Sequence, residues 1–287
     1  MQAIFEELPL ALFTTLAPMG AGAFIVLAIV LARCTFSEQQ LRAIDKMTVI
    51  PLVVAAVGFV CAFFHLQSPL NAMYALAGLG SSPLTNEVLV GVAFMLIACI
   101  YLVLALAGKI GAARLPLAIA SAVMALVFAV FMALAYTMST VASWNSPFTF
   151  ASLLGIVVTG GAAVGLCSLA LAKAASSEQL APARSALLAL VTFGTVLAVV
   201  GIGGQLASVA ASGNALVSGG ELAAELAPLS IAGIVLIVAA AVMLAADLLK
   251  GVKAGPCIGA CVIVAAGILL ARLSFYGLYL SVGLTVM

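Results

Sequence analysis

Charged residues are the scarcest class in this sequence. Only 7% of the 287 residues are Asp, Glu, Lys or Arg, whereas 66% are hydrophobic. Soluble domains carry about 25% charged residues, so this composition excludes a water-soluble enzyme and a disordered chain. Ten basic residues stand against nine acidic ones, which leaves no basic patch for binding nucleic acid. The composition therefore predicts a polytopic membrane protein.

Histidine is almost absent, and this excludes a haem with two histidine ligands. The sequence has one histidine, His65, which cannot supply both axial ligands of a bis-histidine haem. No lysine lies in the middle of a hydrophobic segment, so a retinal Schiff base is excluded as well. The six cysteines form no ligand pattern with His or carboxylates and are interpreted as small hydrophobic residues. The sequence predicts a chain with no haem and no metal of its own.

Long hydrophobic segments fill most of the chain. A membrane-spanning helix needs about 20 apolar residues, and eight segments reach that length. Short polar breaks separate them, and no linker or internal repeat divides the chain. We predict an all-α integral membrane protein with one domain, residues 1–287, whose eight transmembrane helices pack as two four-helix groups. The predicted helices are 8–32, 47–66, 88–108, 115–138, 149–172, 186–211, 226–249 and 255–284.

The basic residues are confined to alternate breaks. The first, third, fifth and seventh breaks carry nine of the ten, whereas the even breaks and both tails carry none. The positive-inside rule makes the basic side cytoplasmic. Both termini and the even breaks then face the periplasm, and we predict a multi-pass protein of the bacterial cytoplasmic membrane. The nine residues are Arg33, Arg42, Lys46, Lys109, Arg114, Lys173, Arg184, Lys250 and Lys253.

A histidine and a glutamate flank the second break. His65 ends the second predicted helix and Glu87 precedes the third, so both lie near the periplasmic interface. Consecutive antiparallel helices usually pack side by side, which would direct both side chains to one pocket. Each residue alone also has a structural interpretation, as an interfacial ring and as an acid at a helix N-terminus. As a pair they are suited to accept protons.

Arg272 is the tenth basic residue and lies inside the last hydrophobic segment, about 12 residues from its end. A buried arginine needs a partner, and we predict that Glu87 is that partner. Tyr276 and Tyr279 follow at i+4 and i+7, which places them on the same face of a continuous helix. The pattern predicts a polar stripe of one cation and two phenols.

Several segments resemble the membrane anchor subunits of the anaerobic dimethyl sulfoxide reductase family. The strongest are HLQSPLNAMYAL at 65–76, SPLTNE at 82–87 and RLSFYGLYLSVG at 272–283, with further likeness in VASWNSPFTF at 141–150 and GGQLASV at 203–209. The resemblance implies eight helices with periplasmic termini. It also implies that an iron–sulfur subunit and a molybdopterin catalytic subunit attach to the periplasmic face, and that menaquinol is oxidised there.

The resemblance also implies roles for particular residues. The quinol-site histidine and glutamate of the family fall on His65 and Glu87, which would accept protons from menaquinol. Five further residues are predicted to bind or support the quinol. They are Ser68, Asn86, Arg272, Tyr276 and Tyr279. Asn71, where a basic residue can occur in the family, and Tyr279, where a histidine is expected, depart from its pattern.

Two other functions compete with this interpretation. A secondary transporter would use an ionisable residue within the membrane and glycine-interrupted helices, but no inverted repeat is apparent. A purely structural anchor would use the same polar side chains only to hold helices together. Copurification separates these hypotheses, because an electron-transfer anchor brings iron–sulfur and molybdenum subunits with it and a transporter does not.

Overall fold

Helices make up nearly all of the described chain. The computed structural model describes residues 6–65, 78–213 and 217–281. Eight helical segments there are long and apolar enough to cross a membrane, which confirms the predicted all-α architecture. The helices are α1 Leu8–Arg33, α2 Glu38–Met47, α3 Val49–His65, α4 Pro83–Leu106, α5 Arg114–Tyr136, α6 Pro147–Leu171, α7 Ser177–Leu180, α8 Arg184–Ala210, α9 Gly219–Lys250 and α10 Ala254–Gly277.

Three predicted helix ends are wrong by five residues or more. α4 begins at Pro83 and α9 at Gly219, earlier than the predicted 88 and 226. In both cases a serine, Ser82 or Ser218, accepts a hydrogen bond from the first turn, as helix-capping residues do. Hydropathy does not register such caps and therefore places these polar first turns in the breaks.

The last helix ends at Gly277, seven residues before the predicted end at 284. The backbone then runs on in a non-helical conformation, in which Leu280 N donates a 2.9 Å hydrogen bond to Ser143 Oγ. Ser281 forms an antiparallel bridge with Val141. Leu278 and Leu280 are buried, and hydropathy cannot distinguish such apolar residues from a continuing helix. Arg272 therefore lies five residues from the helix end and not about 12.

α6 is the central helix of the bundle, and most of its residues are buried. It packs on α1 and α8 most extensively, and also on α5 and α10. Small residues allow this, since a Cβ atom at Gly161 would lie 2.3 Å from the backbone of Gly22 on α1. Close packing through small residues is typical of membrane helices.

Most of the other membrane-spanning helices pack on the membrane-spanning helix that precedes or follows them. α3 packs mainly on α1, α4 on α5 and α9 on α10, whereas α8 packs mainly on α6 and less extensively on α9. α3 and α4 make few contacts with each other, so the expectation that these consecutive helices pack side by side is wrong. The grouping into two four-helix units and the periplasmic position of the termini stay predictions. We call the end where α3 ends and α4 begins the outer end.

A buried ion pair ties three helices together at the opposite, basic end. Asp45 on α2 is buried, and its Oδ2 lies 3.0 Å from Arg114 Nη2 at the start of α5. Tyr101 on α4 donates a 2.7 Å hydrogen bond to Asp45 Oδ1. The paired charge and the phenol satisfy each other away from water, as buried charges require.

Candidate functional site

Arg272 is buried near the outer end among neutral partners. Its Nε donates a 2.9 Å hydrogen bond to Thr14 Oγ1, and its Nη2 donates a 3.1 Å hydrogen bond to Tyr276 Oη. The guanidinium carbon lies 4.0 Å from the centre of the Phe275 ring. Guanidinium groups are stabilised by hydrogen-bond acceptors and by aromatic faces. The cation is therefore held without direct contact with an acid.

The phenols beside Arg272 form a short series of hydrogen bonds. Tyr136 Oη and Tyr276 Oη are 2.6 Å apart, and Tyr276 Oη lies 3.3 Å from Thr14 Oγ1. Thr14 belongs to α1, Tyr136 to α5 and Tyr276 to α10. The series therefore joins helices from distant parts of the sequence at one depth. We call Thr14, Tyr136, Arg272, Phe275 and Tyr276 the Arg272 cluster.

Trp144 closes the Arg272 cluster on its outer side. Its Nε1 donates a 2.9 Å hydrogen bond to Phe275 O, and its ring stacks on that of Phe275 at 5.3 Å. Tyr279 lies edge-on to Trp144 at 5.3 Å and is 54% exposed. The predicted stripe is thus right for Tyr276 and wrong for Tyr279, because α10 ends before Tyr279 and the i+7 relation no longer applies.

Glu87 is the fifth residue of α4 and is 2% exposed. Its Oε1 atom is buried and has no hydrogen-bond partner within the described part of the chain. Glu87 is close enough to Arg272 and Tyr136 to interact electrostatically. Between Glu87 and Arg272, both of which the structure describes, there is no ion pair within 4.0 Å. Arg272 is therefore a nearby countercharge and not a contacting partner.

The other predicted site residues are placed differently. Asn86 Oδ1 accepts a 2.9 Å hydrogen bond from Gly80 N, so this oxygen supports the turn before α4. His65 is the last residue of α3, but its side chain lies outside the described residues, as does the whole of Ser68. The structure thus brings Glu87, Arg272 and Tyr276 close together. The side chains of His65 and Ser68 lie outside the described residues, so their predicted roles stay predictions.

A small cavity with both polar and apolar walls adjoins Arg272 on the side of α8 and α9. Its volume of about 10 Å³ is close to the minimum that one water molecule needs. Its walls include polar side chains from four helices. They are Ser152, Gln205, Ser230, Arg272 and Ser274. Gln205 is anchored by a 3.1 Å hydrogen bond from its Nε2 to Ser143 O.

The sequence alone does not identify Thr14, Tyr136 or Phe275 as neighbours of Arg272. Depth in the membrane is the signal that could have found two of them. Thr14 lies near the start of α1 and Tyr136 ends α5, so an alternating topology places both at the same end as Arg272. Polar residues at a common depth inside a membrane bundle are expected to pair with one another.

The arrangement is suited to accepting a proton from a bound molecule. A buried carboxylate oxygen without a partner is costly, and a ligand with a hydroxyl group would satisfy it. The nearby guanidinium stabilises negative charge on that carboxylate, because the interior screens charges weakly. The site offers one acceptor, one fixed positive charge and aromatic surfaces within a mainly apolar bundle.

A family model and two known proteins match almost the entire sequence, and a third known protein matches about half of it. The family model for the DMSO reductase anchor subunit (DmsC) matches residues 1–278. The C chain of the anaerobic dimethyl sulfoxide reductase of Escherichia coli (strain K12) is 32% identical over 98% of both proteins. The YnfH chain of the same organism is 27% identical over 98% of both. The C chain from Haemophilus influenzae (strain ATCC 51907 / DSM 11121 / KW20 / Rd) is 30% identical over 54% of this protein and 56% of that relative.

Proposed function

This chain belongs to the DMSO reductase anchor subunit family, and we propose that it oxidises menaquinol at its periplasmic end. In this proposal an iron–sulfur subunit docks on that face, receives the electrons and carries them to a molybdopterin catalytic subunit. The names of the relatives support the association with a reductase. The confinement of nine basic residues to one side supports the periplasmic position of the site.

One observation carries the assignment of the site to Glu87. Its Oε1 atom is buried and lacks a hydrogen-bond partner among the residues that the structure describes. Buried polar atoms in proteins almost always have a partner, and this proposal makes the unpaired Oε1 of Glu87 the atom that accepts a hydrogen bond from the bound molecule. A quinol hydroxyl supplies the donor that this oxygen lacks.

The proposed reaction releases two electrons and two protons from each quinol. Glu87 accepts one proton from a ring hydroxyl, and His65, at the end of α3, accepts the other. The electrons leave to the iron–sulfur clusters of the partner subunit, and the quinone remains. Arg272 does not exchange a proton, because a guanidinium stays protonated in proteins. Its role is to stabilise the ionised Glu87 before the proton arrives.

Two substitutions test this proposal in the intact complex. We expect Glu87→Gln and His65→Ala to lower the rate of quinol-dependent substrate reduction by about 10²–10⁴-fold, the usual contribution of a positioned acid–base group. Glu87→Gln keeps the shape of the side chain and removes its negative charge. Reduction of the substrate with an artificial soluble electron donor should stay at the parental rate, because that route bypasses the membrane. Parental quinol oxidation in both variants would contradict the proposal.

A structural role for the Arg272 cluster is a second candidate. The hydrogen bonds from Arg272 to Thr14 and Tyr276 connect α1 with α10, and the Tyr136–Tyr276 bond adds α5. Such a network holds helices together even without a ligand. In that case Arg272 supports the fold, and Glu87 alone faces the quinol.

A further inference from the structure

We call the space between the outer halves of α3 and α4 the gap, because the described residues of these two helices make few contacts with each other. α3 packs mainly on α1 and α4 mainly on α5, and the two helices make few contacts with each other. On the lipid-facing side of α3, Val60 and Phe64 are exposed, and on that of α4, Val88 and Val92 are exposed. Both helices therefore present apolar side chains to the lipid beside the gap.

The ring of Phe59 on α3 fills this gap. It stacks on Phe128 of α5 at 5.6 Å and lies 5.5 Å from the ring of Phe13 on α1. It also packs against Gly91 of α4, where a Cβ atom would lie 2.7 Å from Phe59 Cζ. The ring fits there only because residue 91 has no side chain.

Glu87 lies directly beyond this contact. Gly91 follows Glu87 by one helical turn, so the two share a face of α4, and both are buried. Phe59 is only half-buried, and its ring thus stands between the lipid and the interior at the level below Glu87. The ring has no polar group and is held there by van der Waals contacts, which are weak one by one.

We propose that the isoprenoid tail of the quinol lies in the gap between α3 and α4, and that Phe59 moves away from Gly91 to admit it. This inference rests on the proposed function, since it requires Glu87 to bind the quinol ring. The tail takes over the apolar contacts that the ring of Phe59 makes with Phe13 and Phe128. Displacement of the ring therefore costs little apolar burial.

The test compares two variants that obstruct the gap in different ways. Gly91→Leu places a side chain where the Phe59 ring and the tail would lie, and Phe59→Trp inserts a larger ring while keeping Gly91. Matched controls are Gly203→Leu on α8, where a Cβ would meet nothing within 4 Å, and Phe193→Trp, at a position where the native ring is 61% exposed. The KM and kcat of each intact complex are measured with a long-tailed quinol and with a short-tailed analogue.

We expect each gap variant to raise the KM for the long-tailed quinol by about tenfold or more, equivalent to ~1.4 kcal/mol. The KM for the short-tailed analogue should rise by less than about threefold, and kcat should stay near the parental value because Glu87 is intact. The two controls should behave as the parent. Phe59→Trp leaves the backbone at Gly91 undisturbed, so the comparison survives if Gly91→Leu prevents assembly.

Two results would overturn the inference and leave the proposed function standing. One is a parental KM for the long-tailed quinol in both gap variants while Glu87→Gln abolishes quinol oxidation. The other is an equal rise of KM for both quinols, which would place the disturbance at the ring and not at the tail. If Glu87→Gln and His65→Ala both retain the parental kcat, the proposed function itself fails, and the inference fails with it.

Discussion

Arg272 keeps a full charge inside the bundle by means of neutral neighbours. Thr14 and Tyr276 accept its hydrogen bonds, and the face of Phe275 covers its guanidinium. A lysine at this position would have no planar fork to make both bonds and to lie flat on a ring at once. The geometry of the guanidinium is therefore as important here as its charge.

This difference leads to a prediction for Arg272. Arg272→Lys keeps the positive charge near Glu87, so we expect quinol turnover to persist while the thermal stability of the purified complex falls. Arg272→Met removes the charge as well and leaves Glu87 buried without a countercharge, which should lower both turnover and stability. Tyr136→Phe is the matched control, because it removes one hydrogen bond worth about 1 kcal/mol and no charge. Turnover with the quinol and the midpoint of thermal unfolding distinguish the three variants.

If Arg272→Met lowers stability but leaves quinol turnover at the parental rate, the Arg272 cluster has only a structural role. The assignment of Glu87 would be unaffected by that outcome.

Single residues also differ in how clearly the sequence marks them as functional. Glu87 and Arg272 stand out because charge is rare in hydrophobic segments, whereas Thr14 and Phe275 are ordinary residues there. Their importance arises only from contacts between helices distant in sequence.

The helices themselves are largely predictable from hydropathy, because membrane segments are long and uniformly apolar. Their ends are not, since serine caps begin α4 and α9 earlier than the hydrophobic runs do. The relation between α3 and α4 also escapes prediction. Consecutive helices usually pack side by side. Here, however, α3 packs mainly on α1 and α4 mainly on α5. The steric fit of Phe59 to Gly91 cannot be read from either helix alone.

The junction of α2, α4 and α5 is the place where a helix contact can be tested without touching the proposed site. Asp45→Asn removes the countercharge of Arg114, whose side chain is only 17% exposed, and we expect a loss of about 1–3 kcal/mol in stability. Tyr101→Phe should cost about 1 kcal/mol. Thermal unfolding of the purified complex measures both, and quinol turnover below the unfolding temperature should stay parental.

Arg33→Gln is the control for this junction, because Arg33 is exposed at the same end of the bundle. It should leave the unfolding temperature unchanged. An unchanged unfolding temperature in Asp45→Asn would mean that the ion pair contributes nothing to the packing of these helices. A loss of quinol turnover in Tyr101→Phe would extend the functional site to the basic end and contradict its proposed position.

The whole molecule has a predicted orientation that follows from charge alone. The nine basic residues of the odd breaks predict that this side faces the cytoplasm, so a periplasmic reporter fused after Met287 should be active. The same reporter fused after Ser177, in a basic break, should be inactive. Both fusions are made in the full complex so that the partner subunits are present. Activity at Ser177 would reverse the orientation and move Glu87 to the cytoplasmic side.

The enclosure of α6 bears on how the protein is assembled during synthesis. α6 leaves the ribosome when only α1 to α5 precede it, yet it packs most extensively on α1 and α8 and also contacts α10. Until α8 and α10 are inserted, the glycines and alanines of its unmatched side face lipid, which gains little from contact with such small residues. In a nascent polypeptide that stops after α6, this helix is therefore packed on one side only. The packing of α6 is completed only when α8 and α10 have been inserted.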